Sequence, residues 1–389
     1  MVAPGRPCAA GAGDTGVTRV LWLIKGLGRG GAEQLLSLAA ARIDRVRFRI
    51  EAAYLLAWKD ALVPELEALG IETHCLGMRH GADLSWVVRL RSLVRQRQFD
   101  LIHTHSPYPA IATRIALSAG TIPLIHTEHN VWPQYRWPTY AANAATYGRN
   151  AAVLAVSRQV ADSIRPPWWM PWMAGPAVEI MHHGINEQRV RRGADARAEA
   201  RRALGLGQGD LVVGTVGNLR PQKDHHTLLT AFGMLPDLGP PARLVIVGTG
   251  PLEGELRQQV ARQGLTRQVL LAGLRDDVQE ILPAFDVFVL SSVHEGLSIA
   301  LLEAMAAGLP SVATRVGGNP EALTHGLDSL LVPPRDPSAL AAAIGTLLHD
   351  EPLRRRFGEE AARSAQRFSI ETAVRRMEEL YDGVRHNSE

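Results

Sequence analysis

Glu295 and Glu303 flank a seven-residue spacer within FDVFVLSSVHEGLSIALLEAMAAGLPSVATRVGGNPE, residues 285–321. The mostly apolar run from Asp286 to Ser291 reads as a buried strand and residues 293–297 as the loop leaving it. Ser298 reads as the N-cap of a helix that runs to about Ala307 and is ended by Gly308 and Pro310. Glu295 therefore falls in a loop at the carboxyl end of a strand, and Glu303 about a turn and a half into a helix. Between them, the N–H groups of Gly296, Leu297 and Ser298 face outward at a helix N-terminus, which attracts phosphate. Such a set suits a nucleotide sugar: one carboxylate for sugar hydroxyls, amides for a diphosphate, and the other carboxylate for a ribose diol.

Cations for the same ligand stand in GNLRPQKD (217–224), where Arg220 and Lys223 follow another apolar run and can converge on one loop. Lys223 is one of three lysines in a chain with 39 arginines. A compact ammonium in a loop suits a phosphate, the bland alternative being two solvated surface charges. GLGRGG (26–31) fits the G-x-G-x-x-G spacing, with Glu51 about 20 residues beyond Gly31, so a nicotinamide dinucleotide site is one reading. Glu51 lies inside the next strand rather than at its end, which weakens that reading. Gly30 and Gly31 otherwise let backbone come close to a diphosphate or sugar, or simply make a tight turn.

Histidines gather at strand ends: His103 and His105, then His126 and His129 beside Glu128. Alternation sends neighbours to opposite faces, and no third ligand keeps metal-site spacing. Hydroxyl binding in a cleft, with core packing as its rival, is preferred to a metal centre. His182 and His183 read as packing residues near a hinge, and the pair Asp276–Asp277 as a helix cap. RPPWWMPWM (165–173) is too apolar for an ordinary loop; Trp168, Trp169 and Trp172 beside an arginine suit either a membrane interface or a lid on the domain's own core.

Two parallel sheets must position these residues. From Arg19 onward, apolar runs alternate with helical stretches in a βαβ pattern, with strands at VLWLI, Phe48 to Leu56, LIHTH, PLIHTEH and AVLAVS. The pattern pauses at 165–176 and 193–209, then restarts with LVVGTVGNL, ARLVIVG, QVLLAG, DVFVLS and PSVAT. The expected organisation is a leader over 1–17, one Rossmann-like domain over 18–190, a second over 191–369, and a final helix from Ile370 that can pack on either. Each motif above follows a strand, and in open sheets ligands sit beyond the carboxyl ends of strands, so the site belongs in the gap between two such edges.

At 389 residues, 46% hydrophobic and 21% charged, the chain is long and apolar enough for two cores, and no apolar run approaches the roughly 18 residues of a membrane span. Cys8 and Cys75 support neither a disulfide framework nor a zinc site, which points to the cytoplasm. The net charge of +3 divides into +6 over 1–190 and −3 over 191–389, so the first half is the one to face an anionic surface. Aromatic residues are 5% and no basic stripe interleaves with them, which argues against nucleic-acid binding.

Taken together, EGLSIALLEAMAAGLPSVAT with GGNPEAL, GGAEQLL (30–36), HTEHN (126–130), VSRQVADSI (156–164), GNLRPQKD and IVGTGPLEGEL (246–256) resemble glycosyltransferase family four. These are retaining enzymes with the α/β GT-B fold, two Rossmann-like doubly wound parallel-sheet domains facing across a cleft. The resemblance covers residues 19 to about 385. It implies that Glu295 binds the donor sugar, Glu303 the ribose, Arg220 and Lys223 the diphosphate, and Gly30 and Gly31 the donor from the opposite domain. It also implies that His129 lines the reacting face and that Glu321 supports the Gly317–Gly318 loop near the phosphates. HHGIN (182–186) departs from the family's asparagine-glycine-valine-aspartate at the hinge.

Breaking an anomeric C–O bond leaves negative charge on the diphosphate, so the expected catalytic set is His129, Arg220, Lys223 and Glu295, aided by the amides of Gly296, Leu297 and Ser298. With no evident side-chain nucleophile, the resemblance implies front-face attack with retention, the leaving phosphate taking the acceptor's proton and no metal being required. The donor is expected to be UDP- or GDP-linked, its base read around Gly250, Leu274 and Arg275. The acceptor, a lipid-linked or saccharide hydroxyl at the inner face of the cytoplasmic membrane, is expected near His105, Tyr108 and Trp132. A nicotinamide-dependent oxidoreductase and a catalytically silent nucleotide-sugar-binding module remain the alternatives.

Overall fold

The computed structural model describes residues 16–386, except 29, 82, 118–121, 166–174, 191–192 and 237–238. Cys8, the leader up to residue 15 and the tryptophans Trp168, Trp169 and Trp172 lie outside the described residues. The first seven strands are β1 (Thr18–Ile24), β2 (Phe48–Tyr54), β3 (Glu72–Cys75), β4 (Leu101–Thr104), β5 (Leu124–Glu128), β6 (Ala152–Ala155) and β7 (Val178–Ile180). They form one parallel sheet in the order β3-β2-β1-β4-β5-β6-β7. The other six are β8 (Leu211–Val216), β9 (Ala242–Val247), β10 (Val269–Gly273), β11 (Val287–Leu290), β12 (Ser311–Thr314) and β13 (Ser329–Val332). These form a second parallel sheet, β10-β9-β8-β11-β12-β13.

Helices cover both faces of each sheet, so inner strands carry buried apolar runs, Val20 to Leu23 of β1 and Val287 to Val289 of β11 being fully buried, while β4 and β5 start apolar and turn polar toward their carboxyl ends. Edge strands are short and, at β3, polar (Glu-Thr-His-Cys), which fits their lighter cover. The chain order reverses beside β1 and β4 in the first sheet and beside β8 and β11 in the second. Crevices open at such switch points, and the loops after these four strands carry the glycines 26–31, His105, the Arg220–Lys223 segment and Glu295.

The C-terminal helix Ile370–His386 lies on the first sheet. Its Ile370, Val374, Met377, Tyr381 and Val384 join the core of Trp22 and Phe48, while Arg47 pairs with Glu378 and Asp382. Just before it, Ile185 donates to the Phe368 carbonyl at 2.8 Å and accepts from Ile370 at 3.0 Å, which ties the crossing between the halves. No described helix is long and apolar enough to cross a membrane.

Candidate active site

The second sheet supplies a wall of charge and bare amides. The segment after β8 is tied to the end of β11, since Ser291 Oγ donates to the Lys223 carbonyl at 2.9 Å and the Val293 amide to the Gln222 carbonyl at 2.8 Å. That tie brings Lys223 Nζ to 2.5 Å from Glu295 Oε1, which also accepts from Ser292 Oγ at 2.6 Å. Arg220 is exposed, and its guanidinium bonds to no described residue. Beneath Glu295, Gly317 adopts φ +58°, and a Cβ there would lie 2.2 Å from the Glu295 carbonyl; only glycine allows that approach. The Gly318 amide then bonds the Gly296 carbonyl at 2.6 Å.

Ser298 caps the helix Ile299–Ala306 through Leu301 N at 3.4 Å. The N–H groups of Gly296, Leu297 and Ser298 have no acceptor among the described residues. On that helix Glu303 is buried and accepts from Gln279 Nε2 at 2.7 Å. Burial raises its carboxyl above the ordinary value, only partly offset by the Gln279 bond.

The first sheet supplies a wall of neutral imidazoles. His103, His105, His129 and His183 form a row, with successive ring centroids 4.1, 5.8 and 5.4 Å apart. His103 is fully committed, Nδ1 to the Tyr381 hydroxyl and Nε2 to Thr127 Oγ1, each at 2.7 Å; it is a packing histidine. By contrast, Nε2 of His105 and both ring nitrogens of His129 and His183 are buried without a hydrogen-bond partner. Burial is the main force lowering all four, His129 to about 4, so the row is uncharged at neutral pH. Under the row, Glu128 accepts from the amides of His129 (3.0 Å) and Asn130 (3.3 Å), from Trp132 Nε1 (3.0 Å) and from the Tyr135 hydroxyl. Those bonds and the neighbouring His126 outweigh burial and keep its carboxyl below the ordinary value.

The walls meet at several points. A Cβ on Gly296 would lie 2.1 Å from the His129 carbonyl, and one on Gly31 would lie 3.4 Å from Ile299 Cδ1. Glu321 reaches across to accept from the Arg158 amide at 2.7 Å and pairs with His182 Nε2 at 3.0 Å. Its amide bonds the Gly318 carbonyl at 3.0 Å, so it does adjoin the Gly317–Gly318 loop, but its carboxylate turns to the other half and clasps the two together. Asp277 does stand at the N-cap of the helix Val278–Ile281, but only through its backbone. It makes no side-chain cap and instead grips the Arg275 guanidinium with both oxygens. His182 does sit at the crossing, but His183 belongs to the histidine row rather than to hinge packing.

Sequence reasoning missed Ser292, Gln279 and His183. The first two are ordinary polar residues whose partners are settled by tertiary contact; only the departure at HHGIN marked the third.

Glu51 is buried within β2, bonded to His74 Nε2 at 2.8 Å and ringed by Arg19, Arg49 and Arg97, so no ribose can reach it. The nicotinamide reading loses its acid. With Glu72 and His74, it is the one group of three among the described residues whose ligand atoms lie within 4.8 Å of one another, and Arg97 already holds Glu72 there.

Two family models match, one over each half: Glycosyltransferase Family 4 over residues 29–189 and Glycosyl transferases group 1 over 196–364. The lipopolysaccharide core biosynthesis mannosyltransferase LpsB of Rhizobium meliloti (strain 1021) is 30% identical over 66% of this chain and 69% of its own length. The chain belongs to glycosyltransferase family four. Another relative, the Escherichia coli UDP-Gal:alpha-D-GlcNAc-diphosphoundecaprenol alpha-1,3-galactosyltransferase, is 25% identical over 83% of this chain and 85% of its own. Among solved structures, Anabaena Alr3699/HepE in complex with UDP-glucose superposes with a TM-score of 0.81 at 24% identity, covering 94% of this chain and 99% of that one. The fold is GT-B and the protein is a glycosyltransferase; neither an oxidoreductase nor a silent module is favoured.

Proposed function

We propose that the cleft moves a hexose from a UDP- or GDP-sugar to a hydroxyl of a lipid-linked or polysaccharide acceptor, with retention at the anomeric carbon and without a metal. The observation that carries this reading is the Lys223–Glu295 contact beside the three unpaired amides of Gly296, Leu297 and Ser298. An incoming diphosphate competes with Glu295 for the ammonium, and Glu295, still held by Ser292, is released to accept hydrogen bonds from the sugar. Donor binding and carboxylate availability are thereby one event.

As the anomeric bond breaks, Lys223, the free Arg220 guanidinium and the amides stabilise the diphosphate, which is where the departing negative charge collects. Glu303 grips the ribose, Gly30 and Gly31 let the first domain's backbone approach the donor, and His129 and His105 line the sugar and acceptor side. The leaving phosphate takes the acceptor's proton. The relative named for a diphosphoundecaprenol-linked sugar supports a lipid-linked acceptor, and the net charge of +6 over residues 1–190 supports a seat on the anionic inner face of the cytoplasmic membrane.

A thermal-shift panel of UDP-, GDP- and ADP-sugars, with and without EDTA, tests the reading, because only a bound ligand stabilises the fold. A shift with one UDP- or GDP-sugar that survives EDTA is expected. No shift with any of them, or one abolished by EDTA, contradicts it.

A further inference from the structure

We propose that His183 is a substrate-contacting residue of the cleft, presenting one ring N–H and one ring lone pair to hydroxyls of the sugar being transferred, side by side with His129. The assignment rests on the nucleotide-sugar reading of the site and extends it to His183, in the hinge segment where this chain departs from the family's pattern.

The backbone on both sides of His183 is anchored. On one side His182 is anchored by its 3.0 Å bond to Glu321 and by edge contact with the Phe368 ring. On the other, a Cβ at Gly184 would lie 2.5 Å from the Ile370 Cα, and Ile185 is bonded in both directions to Phe368 and Ile370. Clamped on both flanks, His183 points at His129, ring to ring at 5.4 Å. It faces the Leu297 carbonyl of the opposite wall without closing a well-formed hydrogen bond, and both its nitrogens stay buried and unpartnered.

Buried polar atoms in a folded protein are normally satisfied, so an imidazole on an anchored backbone, with no regular partner at either nitrogen, marks a place a ligand completes. A neutral imidazole offers one donor and one acceptor, the same pair a sugar hydroxyl offers. The diphosphate, by contrast, already has Lys223, Arg220 and the amides. The occupant is therefore the hexosyl portion of the donor.

The experiment compares His183→Leu and His183→Asn with the unmodified protein. Affinity is measured calorimetrically for the nucleoside diphosphate alone and for the matching nucleotide sugar. His183→Leu should bind the nucleoside diphosphate normally and the nucleotide sugar about tenfold or more weaker, the scale of one or two lost neutral hydrogen bonds. His183→Asn, whose amide restores a donor and an acceptor, should recover part of the loss. Equal weakening for both ligands in both variants would make His183 a structural residue and overturn the assignment, as would unchanged affinity for both. If His183→Leu does not fold, the same split in His183→Asn decides. An unmodified protein that binds no nucleotide sugar would instead overturn the reading of the site itself.

Discussion

On the C-terminal wall the groups that face the cleft are ions and amide dipoles, with Lys223 against Glu295, Arg220 free in solvent and three N–H groups without acceptors. On the N-terminal wall they are uncharged rings packed over a buried carboxylate, Glu128, which is itself fully hydrogen-bonded. The division fits the nucleotide sugar we propose as donor. A diphosphate is stabilised by fixed positive charge, and held more strongly as it departs. A sugar is a neutral polyol, recognised by donors and acceptors that must not titrate under working conditions. Short loops at switch points suffice for the first wall, whereas the second needs burial deep enough to keep imidazoles neutral.

Acid should separate the walls most strongly. Burial, aided by neighbouring rings and at His126 by Arg114, holds His103, His105, His126, His129 and His183 below the ordinary value of 6.5, with His129 at about 4. An unfolded chain takes up these protons near pH 6.5 while the fold refuses them until lower pH. Stability is therefore fully present above about pH 6.5 and is lost as pH falls from there through about 4. At roughly 1.4 kcal/mol per pH unit, His129 alone accounts for about 3 kcal/mol. The second domain contributes His225, also held at about 4 by burial. Hydrogen exchange on acidification from pH 7 to 4.5 should loosen β4 and β5 before β8 and β11; simultaneous loosening would break the contrast.

Charge on the other wall is expected to dominate turnover. Arg220→Ala and Lys223→Ala should each cost about 2 to 4 kcal/mol of transition-state stabilisation, roughly 30- to 1000-fold in kcat/KM. Arg220 makes no hydrogen bond or ion pair with a described residue through its guanidinium, so its removal should leave the melting temperature nearly unchanged and give the cleaner reading. Near-normal turnover by both variants would remove the diphosphate from this wall.

Glu303 sharpens the comparison because it is a buried carboxyl on the charged wall. Folding resists its ionisation, so its penalty is absent below about pH 4.5, grows as pH rises through the raised folded value, and persists above it. Glu303→Gln should stabilise the ligand-free protein at pH 7.5 by on the order of 1 kcal/mol, a few degrees at most. It should also weaken nucleotide binding by about tenfold. A variant with both properties unchanged would deny Glu303 a part in the site.

Local information carried the E-x7-E segment into view: strand, loop, Ser298 cap and helix lie within about 20 residues, each with its own signature. The strands β1, β8, β9 and β11 were legible for the same reason, since burial on both faces leaves a long apolar run. The strands Val178–Ile180 and Ser329–Val332 were not, being three or four residues long at sheet edges. Nor was the contact of Lys223 with Glu295, 72 residues away, which depends on β8 and β11 lying side by side. Glu321 showed the limit most plainly: its motif suggested a local phosphate loop, while its carboxylate serves the opposite domain.

Gly31 gives the smallest and most discriminating effect, because it stands on the neutral wall yet is assigned to the charged ligand. It opens the helix Gly31–Ala40, where alanine is intrinsically better by up to about 1 kcal/mol. An added Cβ would meet only the end of the Ile299 side chain, at 3.4 Å, and that side chain can give way. Stability therefore offers no reason for glycine, and Gly31→Ala should melt at or slightly above the unmodified temperature. If the missing side chain exists to let backbone approach the donor, the same variant should raise the donor KM severalfold with little change in kcat. A normal KM would reduce Gly31 to the first residue of a turn and leave donor contact to the charged wall and the histidine row.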